Sequence, residues 1–108
     1  MIVHGLKNCD TCRKAAKALG AAGHEVKLRD LRDDPLAPDE LRRFLDTFGE
    51  ALVNRRSTTW RGLDEDARAG DPQALIAAHP ALMKRPVIES GGQLHLGWDG
   101  KVQAALLP

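Results

Sequence analysis

The spacing of apolar positions changes along the chain from strand-like to helix-like and back, which divides it into short alternating elements. Met1 to Leu6 is apolar except for His4 and is led by Ile2 and Val3, short enough to be a buried first strand. From Asp10 to about Ala22, Cys12, Ala15, Ala16 and Leu19 fall at i, i+3, i+4 and i+7, while Arg13, Lys14 and Lys17 take other faces; this predicts an amphipathic helix. Gly20 and Gly23 supply exit signals, and Glu25 to Arg29 then alternates, with Val26 and Leu28 on one face of a second strand. A crossover of this length between two strands implies a right-handed parallel βαβ unit, hence an α/β architecture.

Asp33-Asp34-Pro35 makes a turn, after which Pro38 at a first helical position, Asp39 and Glu40 in the first turn, and Leu41, Phe44, Leu45 and Phe48 at helical spacing define a second helix that Gly49 closes. Asn54 to Trp60 is polar and without clear period, so it reads as a loop leading to a short turn at Arg61 to Leu63. Asp71-Pro72 forms an N-cap and N1 pair for a short helix carrying Leu75 and Ile76, which Pro80 must follow rather than enter. Pro86 to Glu89 and Gln93 to Gly97 are two short strands joined across Ser90-Gly91-Gly92, a hairpin. Val102, Ala105 and Leu106 place a last helix from about Asp99 to Leu107 over a sheet face. The predicted order is βαβ, helices, ββα.

The chain has 108 residues, which fits one domain spanning 1–108, and its 43% hydrophobic and 29% charged residues exclude disorder as the main state. Sixteen Lys and Arg against fifteen Asp and Glu leave a net charge of +1, too balanced for bulk attraction to nucleic acid or an acidic membrane, so any anion site must be local. No apolar run approaches the ~18 residues that span a bilayer, and the N-terminus lacks the basic-then-apolar order of a signal peptide, so a cytoplasmic location is expected.

Two cysteines occur, as Cys9-x-x-Cys12. At a strand-to-helix junction the leading thiol meets unpaired backbone N–H groups and the positive end of the helix dipole, which stabilise a thiolate. Lys7 and Arg13 add positive potential in sequence, so the Cys9 pKa is expected below the ~8.5 of a free thiol. Cys12, a turn further on and more interior, stays protonated longer and is placed to resolve a mixed disulfide on Cys9. Half a zinc site is the competing reading, but no second Cys pair or His-x-x-x-His follows, and His4, His24, His79 and His95 are scattered, so no metal is expected. Two inert buried thiols are the other alternative.

Arg55, Arg56, Arg61, Lys84 and Arg85 are the candidates for an anion site, because guanidinium groups grip oxyanions bidentately. Solvated surface is the alternative, accepted for Arg61 and for one of Arg55 and Arg56. Arg85 precedes Pro86 at the start of a strand, where a cis bond would make a constrained turn; the residues leave the isomer open. His4 is taken as structural, and Trp60 and Trp98 as core.

Gly5 to Ala15 (GLKNCDTCRKA), Val53 to Trp60 (VNRRSTTW) and Lys84 to Val87 (KRPV) together resemble, in this order, the arsenate reductase-like ArsC/Spx family, nearest its short YffB-like branch. The resemblance implies a thioredoxin-like fold with a small mixed four-stranded sheet and a helical insertion between strands two and three. By position, Cys9 matches the family's nucleophile, Arg85 the arginine before its cis-proline strand, and Pro86 that proline. Arg56 matches an oxyanion-binding arginine, with Asn54 and Arg55 as rival alignments. Arsenate reductases carry a further arginine after the last strand where this chain has Leu96-Gly97-Trp98, which counts against arsenate as substrate. They also generally lack a cysteine at the position of Cys12, so this chain could close its own disulfide. The implied activity is a thiol-dependent oxidoreductase acting on a small oxidised or oxyanion substrate, with glutathione as co-substrate or glutaredoxin as partner, no tightly bound cofactor, and a monomeric state. The alternative is an Spx-type redox-switched regulator that binds the RNA polymerase α subunit; the C-terminal extension usual in such regulators has no counterpart before Pro108.

Overall fold

The computed structural model describes residues 1–107, and the chain falls into two compact units, Met1–Pro35 together with the chain from Arg85 onward, and Leu36–Lys84. In the first unit, β1 (Ile2–Gly5), α1 (Asp10–Ala21) and β2 (Lys27–Asp30) form the expected parallel βαβ, and β3 (Val87–Ser90) and β4 (Gln93–Leu96) the hairpin. The strands lie in the order β2-β1-β3-β4, with β1 antiparallel to β3, so the sheet is mixed and four-stranded. The hairpin turns on Gly91 and Gly92, whose φ values of 57° and 80° are the left-handed pair that a two-residue turn requires.

Alternation along β1 sorts its side chains by face. Val3 enters a buried cluster with Ala15 and Leu19 of α1, Ile88 of β3, and Val102 and Leu106 of α6 (Gly100–Leu106), so α1 and α6 cover the same side. Trp98 packs against this cluster, as expected of a core residue. His4 takes the opposite face, where its ring meets Glu89 Oε1 at 3.2 Å and Arg29 Nη1 at 3.5 Å, a structural role. Gly5 returns to the α1 side. A Cβ at this position would overlap Cys12 Sγ, and Pro86 Cβ lies only 3.9 Å from it.

β2 begins two residues later than its alternation suggests. Gly23, at φ 95°, extends the exit from α1, and the first ladder contact is the Lys27 N–H donating to Met1 O at 3.0 Å. β2 ends on Asp30, whose side chain is 2% exposed and accepts from the Lys7 N–H (3.1 Å) and from the Arg32 N–H, Nε and Nη2 (2.9, 3.2 and 3.0 Å). The Arg32 side chain is the main cause that holds the Asp30 carboxyl well below the usual carboxylate range, backed by these two backbone N–H groups.

The second unit is the helical insertion: α2 (Pro38–Phe48), α3 (Thr58–Arg61), α4 (Glu65–Arg68) and α5 (Pro72–Ala78). α2 starts where Glu40 reaches back to the Ala37 N–H at 2.9 Å, buries Leu41 and Phe44, and stops at Gly49 with φ 58°. α3 replaces the expected loop through Trp60, because the Ser57 hydroxyl accepts the Trp60 N–H at 3.1 Å and caps a turn too short to show a period. α4 went unpredicted for the same reason; its cap is Asp64, bonded to the Ala67 N–H at 2.8 Å. An antiparallel bridge joins Val53 and Met83, flanked by Asn54 N–H to Leu82 O and Lys84 N–H to Leu52 O, both 2.7 Å, which sets the Asn54 loop beside Lys84. No described helix is long and apolar enough to cross a membrane.

Gly5→Ala is expected to cost about 1–3 kcal/mol through overpacking, and most of that cost should vanish when Cys12 is also alanine, because the atom in the way is then gone. A double-mutant cycle in urea checks this; strictly additive costs would show that the close approach is unimportant.

Candidate functional site

Cys9 is the N-cap of α1, with extended backbone (φ −91°, ψ 119°) and half-buried side chain. Its N–H donates to Leu6 O at 3.1 Å and its carbonyl accepts the Arg13 N–H at 3.0 Å, so the thiol stands where a capping oxygen would ordinarily satisfy the helix. Cys12 is fully buried one turn along, and both thiols are free. The Arg85-Pro86 bond is cis, and Pro86 is buried at the spot where Gly5 and Cys12 meet. The first unit thus brings together Cys9, Cys12, Arg85 and Pro86.

Burial pushes the Cys9 thiol up, but the backbone N–H and thiol of Cys12 and the side chain of Arg85 outweigh it, and the net pKa lies below the ordinary thiol value. Burial pushes the Cys12 thiol up to about 11, with the neighbouring Cys9 adding to the rise. Two thiols a turn apart are therefore set in opposite directions, the arrangement that separates an attacking group from a waiting one. The cation responsible is Arg85. Lys7 and Arg13, which sequence proximity suggests, are not among the causes: Arg13 pairs with Asp10, and Lys7 is exposed. Among the described residues, the buried Arg85 Nε has no hydrogen-bond partner. A buried donor in this state costs about 1–3 kcal/mol, which a structure accepts more readily where the group serves an anion.

Asn54, Arg55 and Arg56 belong to the second unit, where with Glu50, Val53 and Lys84 they line an open concavity of about 480 Å³. Asn54 Oδ1 accepts the Arg56 N–H at 3.1 Å and so shapes the loop. Arg55 is held 3.6 Å from Glu50 and lies over the Trp60 ring at 5.6 Å, with Arg68 also over that ring at 5.8 Å. Trp60 is therefore a half-exposed platform for two guanidinium groups, not the core residue expected of it. Arg61 is exposed, as expected. No described group of three or more His, Cys, Asp or Glu residues is arranged to hold a metal ion.

A mixed sheet carrying α1 and α6 on one face, with a helical unit inserted between β2 and β3 and a cysteine at the first helix's start, is a thioredoxin-like fold. The chain belongs to the ArsC family, whose model matches residues 4–105. It is 41% identical over 104 residues to an uncharacterized protein of Haemophilus influenzae, covering 92% of this chain and 91% of that one. It is 29% identical over 112 residues to the global transcriptional regulator Spx 2 of Lactococcus lactis, covering 98% of this chain and 85% of the regulator. The solved structure of a YffB protein superposes with a TM-score of 0.87 at 33% identity, covering 99% of this chain and 98% of that one.

Alkylation by iodoacetamide should modify Cys9 first, well ahead of Cys12, whose thiol is fully buried and pushed up. Because Arg85 favours the thiolate, Arg85→Ala should move the Cys9 rate profile to higher pH and slow modification at pH 7 by roughly three- to tenfold, with Arg85→Lys between the two. An unchanged profile in Arg85→Ala would remove the cation from the account.

Proposed function

We propose that this chain is a thiol-dependent reductase whose nucleophile is Cys9 and whose source of reducing equivalents is glutathione, directly or through glutaredoxin. The observation that carries the reading is the Cys9 thiol, held below its ordinary pKa at the start of α1 beside Arg85, with Cys12 protonated behind it. The Cys9 thiolate attacks one sulfur of a small mixed disulfide; a Cys9–S bond forms, the substrate S–S bond breaks, and the departing thiolate takes a proton from solvent. Cys12, once deprotonated, attacks Cys9 Sγ, closes a Cys9–Cys12 disulfide and releases the second thiol. Two glutathione molecules then reduce that disulfide and leave as oxidised glutathione. Arg85 pairs with the anionic group of the substrate and with the departing charge. Arg55, Arg56 and Lys84 offer a second anion-binding concavity, shaped by Asn54. Because the cycle needs reduced thiols, its setting is the cytoplasm.

Similarity to the Spx regulator, together with the Cys-x-x-Cys, favours a second reading: an adaptor whose Cys9–Cys12 disulfide alters binding to the RNA polymerase α subunit. Thiol-state-dependent capture of that subunit would support it, and no capture in either state removes it.

NADPH-coupled turnover with glutathione, glutathione reductase and glutaredoxin separates the two. A small mixed disulfide should be reduced by the wild type. Cys9→Ser should lose at least about a hundredfold, whereas Cys12→Ser should keep a remnant dependent on glutathione, which can resolve the adduct from solution. Undiminished turnover in Cys9→Ser sinks the reductase reading. Arsenate turnover that depends on Cys9 would extend the substrate range to oxyanions despite Leu96-Gly97-Trp98.

A further inference from the structure

Asp30 is a buried carboxylate that the thiol chemistry does not itself use. It stands at the carboxyl end of β2, paired in register with Gly5 at the carboxyl end of β1, the edge at which open α/β sheets present their sites. The segment from Leu6 to Asn8 connects β1 to Cys9. It is irregular, with Leu6 half-buried and Lys7 and Asn8 exposed. Polar contacts tie it down. Asp30 Oδ2 accepts the Lys7 N–H at 3.1 Å, the Leu31 N–H donates to Gly5 O at 2.9 Å, and the Cys9 N–H donates to Leu6 O at 3.1 Å. The Asp30 side chain is the sole member of this set that reaches across from β2 to the loop's own backbone, two residues ahead of Cys9. Arg32 saturates the other acceptor positions of the carboxylate, through its N–H and Nε on Oδ1 and its Nη2 on Oδ2, so Asp30 cannot swing away without breaking an ion pair.

We infer that Asp30 is a positioning residue for the Cys9 thiol: through the Lys7 N–H it clamps the β1–α1 loop in the one path that seats Cys9 at the start of α1 and beside Arg85. The inference rests on the reading of Cys9 as the nucleophile. Asparagine cannot replace the aspartate. With its oxygen toward Lys7, its NH2 group faces the Arg32 donors; turned over, it faces the Lys7 N–H.

The sign of the effect separates positioning from plain electrostatics. A carboxylate near a thiol disfavours the thiolate, so removing the charge alone would shift the Cys9 rate profile to lower pH. Releasing the clamp shifts it to higher pH, because Cys9 loses its alignment with the α1 N–H groups and Arg85. Iodoacetamide alkylation of Cys9 as a function of pH, followed by mass spectrometry, is expected to show the upward shift in Asp30→Asn and about three- to tenfold slower modification at pH 7. Hydrogen exchange should show the Lys7 amide protected in the wild type and unprotected in the variant. Should Asp30→Asn not fold, replacing the Leu6–Lys7 amide by an ester deletes that one N–H and leaves the Asp30–Arg32 pair and all charges in place; it is expected to shift the profile the same way. An unchanged or downward-shifted profile in the ester variant overturns the inference while leaving the reductase reading intact. Wild-type Cys9 that alkylates no faster than free glutathione overturns both.

Discussion

With only hydrogen on the Cα of Gly5, the first turn of α1 can lie against the end of β1 closely enough for Cys12 Sγ to occupy the space that a Cβ would take. The remaining features of the first unit follow from that close approach. Cys12 is fully buried because it fills this gap, and Pro86, just ahead of β3, packs against the same point. The residue before Pro86 is Arg85, so packing Pro86 there brings its guanidinium to the start of α1. A side chain on residue 5 would move the helix outward and open the contact that joins the two thiols to their cation.

Burial and charge then act on the two thiols in different proportions. Desolvation opposes ionisation of both, but Cys9 sits at the helix start and beside Arg85, while Cys12 has its sulfur in the packed gap. The same helix turn thus gives one thiol that ionises early and one that ionises late. This asymmetry comes from where the sulfurs sit, since the chemistry of the two side chains is identical. It also sets the order of events for any disulfide exchange: the thiolate that forms first attacks first, and a thiol held near 11 acts only when its neighbour has been converted and no longer opposes its ionisation.

Elements whose signal is local and repeated were legible in the chain. The helical spacing of Cys12, Ala15 and Leu19, the Pro38 start and Gly49 stop of α2, and the Gly91-Gly92 turn each carry their own instruction, and each element lies within a residue or two of its predicted place. The single-turn helices α3 and α4 do not span enough residues to show a period, and only the caps Ser57 and Asp64 could have announced them. The site was legible in composition and not in its pairings. Cys9, Cys12 and Arg85 stand out as residue types, but of the nearest cations in sequence Arg13 pairs with Asp10 and Lys7 is exposed, and neither acts on the Cys9 thiol as Arg85 does. Which cation faces a thiol depends on strand order, and β3 lies next to β1 only because the chain returns from the helical unit to pair there. Trp60 illustrates the same limit: its size suggests core, yet the guanidinium groups of Arg55 and Arg68 take both the ring and its surroundings.

Two charged side chains of the first unit show how the fold divides labour between holding and reacting. Asp30 has its acceptor positions filled by Lys7 and Arg32, and a carboxylate so satisfied cannot receive a new partner without losing an old one; its stabilisation is already committed to geometry. Arg85 is the reverse: among the described residues its buried Nε has no partner. Its side chain faces the Cys9 thiol, whereas at Arg55 an incoming anion would have to compete with a resident carboxylate, Glu50. The difference argues for reading Asp30 as part of the frame and Arg85 as the group turned toward the reaction.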